Sequence, residues 1–296
     1  NLRDLTLSSV KWVDASGLDA LADLKQLRTL HLASLNKGVS PAVFRKLQKL
    51  EELIMWDQPL APGTMNAIAE LPHIRRLDVF FGPHPTGGVW SPAWPKTLEE
   101  LNLEISSEAK LKTESMQDMT NLRKLILRVP GGHSVLADVG RLQCLRELVL
   151  TTGPVGKSNA LDLRVFKGLR SLQVLDMSWC NLSQGLRLPD CLDELKTLYV
   201  GDAGLGDSWF LEFRGMGKLR TLYLGLGPVS YCRPTRFGGY DSLAEALEAQ
   251  DGDAITDAGI VCLGRWPAIE ELSLSHTLIT GSGLKSLARL PLLRKL

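Results

Sequence analysis

The chain has 296 residues, of which 57 are Leu, almost one in five, while aromatic residues make up only 6%. Thirty-four Lys plus Arg against 33 Asp plus Glu leave a net charge of +1, so no global basic field draws in nucleic acid and no acidic excess repels it. No apolar run reaches the roughly 18 residues of a membrane span, no basic-then-apolar leader opens the chain, and the five Cys form neither a CxxC pair nor a dense framework, which together predict an intracellular, cytoplasmic or nuclear protein.

Hexads of the form LxxLxL start at Leu2, Leu27, Leu50, Ile74, Leu98, Leu122, Leu145, Leu172, Leu195, Leu219, Ile269 and Leu293. Their spacings are 25, 23, 24, 24, 24, 23, 27, 23, 24, 50 and 24 residues, and the long interval splits near Leu243 into a degenerate repeat with an insertion, giving thirteen repeats. The fourth and sixth residues of a hexad fall on one face of a short strand, so Leu125 and Leu127 point inward while Ile126 and Arg128 point out. Before each strand runs an apolar series spaced by three, as in Leu18, Leu21, Leu24, Leu27, or Met65, Ile68, Leu71, Ile74, or Ile260, Leu263, Trp266, Ile269. That spacing predicts a short helix with a 3₁₀ turn. One strand and one such helix cannot bury a core alone, so the repeats must stack, each touching its neighbours.

Hexads such as Leu122-Arg-Lys-Leu125-Ile-Leu127, Leu145-Arg-Glu-Leu148-Val-Leu150 and Ile269-Glu-Glu-Leu272-Ser-Leu274, recurring with one period, resemble the leucine-rich-repeat superfamily. The resemblance implies an α/β solenoid, a horseshoe with a concave parallel β-sheet and convex short helices or 3₁₀ turns, here as a single domain over residues 1–296. The ninth repeat position, where the family usually places Asn, Cys or Thr for a buried hydrogen-bond ladder, is Gly82, Pro130, Gly153 or Gly227 in four repeats; Cys180 and Thr277 fit the pattern. Hexads stand at both ends without a polar capping repeat, which predicts a fragment of a longer chain.

Along the outward positions, residues two and three of the hexad alternate in sign: Glu51-Glu52, Arg75-Arg76, Glu99-Glu100, Arg123-Lys124, then Arg146-Glu147. Adjacent strands should pair these charges across the ladder. The next outward positions collect Ile54, Trp56, Phe80 and Phe81 in the third and fourth repeats, and Trp179, Tyr199 and Tyr223 in the eighth to tenth. Solvated strand positions seldom need such residues, so they are the candidate protein-binding set, unless a neighbouring loop folds over them. Two Pro/Gly-rich insertions supply further candidates: residues 82–95, which cannot be helical and hold Trp90 and Trp94, and residues 227–241, with Tyr231, Arg233, Arg236, Phe237 and Tyr240. Aromatic residues with Arg also suit single-stranded RNA, but two Arg are few for it.

Three motifs mimic enzymes. Thr151-Thr-Gly-Pro-Val-Gly-Lys157-Ser158 follows a predicted strand as a phosphate-binding loop would, but Thr151 replaces its first Gly and Pro154 removes one amide; Asp176, the imagined magnesium ligand, occupies a regular outward position. Cys191-Leu-Asp193 matches the CxD of a bacterial ubiquitin-ligase class, yet lies inside the repeat register. The five His are scattered singly, with no zinc spacing. No catalytic residue, metal site or cofactor is predicted. The expected function is a non-catalytic protein–protein interaction or assembly scaffold within a larger complex, binding through the concave face and the two long loops. The last repeats, Ile255-Thr-Asp-Ala-Gly259 and Ile279-Thr-Gly-Ser-Gly283, look like those of F-box-type receptors, which implies as an alternative the substrate-recognition subunit of a multi-subunit ubiquitin ligase. A remoter alternative is nucleotide binding through the defective loop.

Overall fold

Each described hexad from Leu2 to Ile269 becomes a strand, and the one at Leu293 adds a single bridge at Lys295, in the computed structural model, which describes residues 1–9, 15–35, 37–56, 60–82, 89–106, 111, 114–129, 136–152, 161–178, 180, 182, 191–201, 203, 205–212, 216–225, 255–275 and 277–296. Two compact units are present, Asn1–Leu127 and Arg128–Leu296. The first carries β1 (Asp4–Ser8), β2 (Thr29–Ala33), β3 (Glu52–Trp56), β4 (Arg76–Phe81) and β5 (Glu100–Ile105), with β6 (Lys124–Arg128) at its end. From β1 to β5 every neighbour is parallel, and the register runs Leu5, Leu30, Leu53, Leu77, Leu101. Identical hexad positions therefore face one another, and from β2 onward the fourth and sixth residues form two buried columns. A slip of one residue would turn both columns to solvent, so the Leu pattern itself fixes the register.

Parallel neighbours need a crossover of a dozen residues or more. The rest of each repeat supplies it through α1 (Ala15–Asp19) with a 3₁₀ turn over Ala20–Asp23, α2 (Pro41–Lys46) and α3 (Thr64–Ala69). Leu18 and Leu21 are buried, as are Met65, Ile68, Leu71 and Ile74, so the spacing of three marks the inward side of these short helices as expected. At α2 the start is set locally: Ser40 Oγ accepts the Ala42 N–H at 3.3 Å, Pro41 occupies the first turn, and Arg45 and Lys46 lie in the last.

The second unit carries β7 (Glu147–Thr151), β8 (Val174–Asp176), β9 (Thr197–Tyr199), β10 (Thr221–Tyr223) and β11 (Glu271–Ser273), again all parallel. β10 pairs directly with β11, Leu222 opposite Leu272, so the 50-residue interval places no strand between these two; the degenerate repeat expected near Leu243 lies outside the described residues. The helical side holds α4 (Leu136–Val139), a 3₁₀ turn over Leu163–Phe166, α5 (Ser208–Glu212), α6 (Asp257–Ile260) and α7 (Gly281–Ser286). Trp209, Phe210 and Trp266 pack there edge to face or tilted, with centroids 5.1 to 6.4 Å apart.

The Thr-Asp-Ala-Gly motif is a coupling between successive repeats. Asp207 Oδ1 accepts the Thr256 N–H at 2.8 Å and Oδ2 the Thr256 hydroxyl at 2.6 Å. One repeat on, Asp257 accepts the Thr280 N–H at 2.7 Å, the Thr280 hydroxyl and the Ser282 hydroxyl. Thr256 and Thr280 are also the N-caps of α6 and α7, taking the amides of Ala258 and Ser282. Each acid thus orders the helix start of the following repeat. Gly259 and Gly283 complete the motif, because a Cβ on either would come within 2.4 or 2.2 Å of the preceding Asp Oδ1.

Candidate binding surface on the sheet face

Along the first unit the outward edge of the strands is a ladder of opposite charges, as the alternation predicts. Arg28 pairs with Glu51, Arg75 with Glu99 at 3.5 Å, and Arg76 sits between Glu52 at 3.6 Å and Glu100 at 3.7 Å. His31 Nε2 lies 3.0 Å from Glu52 Oε1. Beside this stripe, Ile54, Trp56 and Phe80 occupy outward positions and are half-buried. Asp78, between Ile54 and Asn102 in the register, is buried and accepts Asn102 Nδ2 at 2.8 Å.

Phe81 does not join that surface. It directly follows Phe80, strand alternation turns it to the other face, and it is fully buried. Its partners are Trp90 and Trp94 from the insertion, both edge-on, at centroid distances of 5.2 and 6.3 Å. The two Trp are 8% and 5% exposed, so the described part of the 82–95 insertion fills the core in place of a helix and does not display its indoles for recognition. Trp90 Nε1 also donates to the Gly82 carbonyl at 3.0 Å, supplying a donor where the repeat lacks its usual ninth-position side chain. Cys180 performs that ladder role in the second unit: its Sγ–H donates to the Leu150 carbonyl at 3.2 Å, and burial pushes its thiol up to about 12. Thr277 Oγ1 donates to the Leu274 carbonyl at 2.6 Å.

On the sheet face of the second unit, Tyr199 and Tyr223 stand opposite one another on β9 and β10, half-buried, with ring centroids 5.0 Å apart and planes tilted by 48°. The Tyr223 hydroxyl donates to Glu271, which also pairs with Lys295. Burial and the adjacent Glu271 raise the pKa of Tyr223, while the Lys295 and Tyr223 hydrogen bonds lower that of Glu271. Next to Tyr199 in the same row stands Asp176, which is 5% exposed. Burial raises its pKa, the Ser178 N–H, donated to Oδ1 at 2.9 Å, and the Ser178 side chain offset part of the rise, and Glu147 adds to it. Sequence reasoning gave Asp176 no role beyond a regular outward position. The overlooked signal was a carboxylate set between Val149 and Tyr199, side chains large enough to bury it.

Of the remaining predicted residues, Trp179, Tyr231, Arg233, Arg236, Phe237 and Tyr240 lie outside the described residues, as does the loop motif from Gly153 to Ser158. Cys191 is half-buried in the turn before β9, its Sγ 3.6 Å from the Phe166 carbonyl. Among the described residues, no group of three or more His, Cys, Asp or Glu could hold a metal ion, and no helix is long and apolar enough to cross a membrane.

The family model described as Leucine Rich Repeat matches residues 171–195, the segment that holds β8. Solved structures with the same fold include an internalin from Listeria monocytogenes, with a TM-score of 0.54 and 16% identity over 99% of this chain and 86% of that one. A leucine-rich-repeat protein of Leptospira interrogans gives a TM-score of 0.51 with 18% identity over 100% of this chain and 77% of the other. TLR13, in a complex with ssRNA13, gives 0.52 with 18% identity over 99% of this chain and 46% of that one. No curated protein sequence matches the chain.

Proposed function

We propose that this leucine-rich-repeat protein is a non-catalytic scaffold that binds partner proteins through the outward face of its strands, as a subunit of a larger complex. The observation that carries the reading is the set of half-buried aromatic residues at outward strand positions, Trp56 and Phe80 in the first unit and Tyr199 and Tyr223 in the second. Leucine-rich-repeat proteins typically mediate protein–protein interaction, and stacked repeats provide a rigid, extended surface for it. Rings held by neighbouring strands lose little entropy on binding and bury a large area, the profile of residues that dominate interface energies.

Alanine at Trp56 and at Tyr223 tests the reading. The two substitutions together are expected to remove partner proteins that co-purify with the full chain from its native cells, while the thermal melt stays within a few degrees of wild type. Recovery of the same partners in the same amounts by the double variant would refute it.

A further inference from the structure

Asp176 holds the fifth position of its hexad, on the strand face turned away from the core, with Val149 opposite on one side and Tyr199 on the other. Its carboxylate is almost fully buried, yet the groups that answer it, the N–H and side chain of Ser178, are neutral, and among the described residues no cation pairs with it. Ser178, two residues on, is equally buried, and its side chain brings no charge to the carboxylate. Glu147 on the adjacent strand adds to the negative field. Beyond Asp176 the row continues into the Tyr199 and Tyr223 rings, and Tyr223 is held by its bond to Glu271. A buried carboxylate answered only by neutral groups is costly, and a positive group brought by a ligand recovers that cost at the moment of binding.

We propose that Asp176, with Glu147 beside it and the Tyr199–Tyr223 pair as its wall, is the subsite that takes an arginine side chain of the bound protein. A guanidinium is planar, so it lies against a Tyr ring while its fork meets the carboxylate; it is also more weakly hydrated than a Lys ammonium, so moving it beside a buried carboxylate costs less. Its remaining N–H groups suit the Ser178 hydroxyl as an acceptor. The subsite rests on the protein-binding reading above and names what the partner must carry.

The probe is three pools of nine-residue peptides, with the central residue fixed as Arg, Lys or Gln and the others randomised, titrated against the full chain by fluorescence polarisation. The Arg pool is expected to bind at least about tenfold more tightly than the Gln pool, with the Lys pool between them. Asp176→Asn keeps the acceptor for the Ser178 N–H and is expected to bring the Arg pool down to the Gln pool. Tyr199→Leu, which keeps an apolar side chain there, is expected to weaken the Arg pool several-fold and leave the Gln pool unchanged. Equal binding of the three pools, no binding by any, or an Arg preference that survives in Asp176→Asn would each overturn the subsite. Equal binding would leave the protein-binding reading standing; that reading falls on the co-purification result with the Trp56 and Tyr223 variants.

Discussion

Asp176 also makes a statement about folding. Burial raises its pKa above the ordinary value of 3.8, so the folded chain holds this proton more tightly than the unfolded chain does. Its contribution to stability is therefore complete below about pH 3.8 and is lost as the pH rises through the raised pKa. At neutral pH the charged group is a cost. Asp176→Asn is expected to raise the melting temperature at pH 7.5 by a few degrees, with the gap narrowing toward pH 4.5, as followed by circular dichroism. A constant gap at both values would mean that the charge is not the cause. At this scale the sequence was legible in part. It placed Trp56, Phe80, Tyr199 and Tyr223 on the outward face, because strand alternation determines direction. Phe81 was misassigned because the pair Phe80-Phe81 straddles two faces, and Trp90 and Trp94 because a Pro/Gly-rich insertion does not reveal what its aromatics will pack on.

At the scale of the element, the repeat motif becomes a device for passing order along the helical side. Asp257 is half-buried, and the hydrogen bonds from Ser282 and Thr280 hold its carboxyl down at about 2. A depressed carboxyl pKa adds stability that is present above the ordinary 3.8 and lost as the pH falls through about 2. Amide exchange gives the local readout: protection at Thr280 and Ser282 is expected to fall between pH 4 and pH 2 in the wild type. Asp257→Ala should lack that protection at every pH while leaving β2 to β4 unaffected. If Thr280 stays equally protected in the variant, the cap of α7 does not depend on the preceding repeat. The motif itself could be read in Ile255-Thr-Asp-Ala-Gly259, but its partner could not, since Asp207 lies 49 residues before Thr256 and stands in a differently written segment, Leu205-Gly-Asp207. Parallel order and register were readable for the opposite reason: the same hexad recurs, so like meets like. Strand lengths were not, because β8 to β11 shorten to three residues although their hexads match those of the longer strands.

At the scale of the molecule, the consequence of stacking is that energy is shared between adjacent repeats and decays beyond them. Gly140 and Gly168 provide a sharp test, since they sit where two neighbouring turns of the second unit nearly touch. A Cβ on Gly140 would stand 2.0 Å from the Val165 carbonyl oxygen, and one on Gly168 would stand 1.9 Å from the Gly140 oxygen. Backbone atoms cannot yield as a side-chain end does, so Gly140→Ala must push two repeats apart, at a cost of about 1 to 3 kcal/mol as for other overpacked sites. Gly217→Ala meets nothing within 4 Å and is the matched control. With nearest-neighbour coupling, Gly140→Ala lowers amide protection in β7 and β8, which flank the contact, much more than in β11 or in β2 and β3. An equal loss in all of these strands would show that the chain unfolds as one cooperative body. The distinction bears on binding, because a surface built from locally coupled repeats can loosen at one subsite while the others stay ordered to hold a partner.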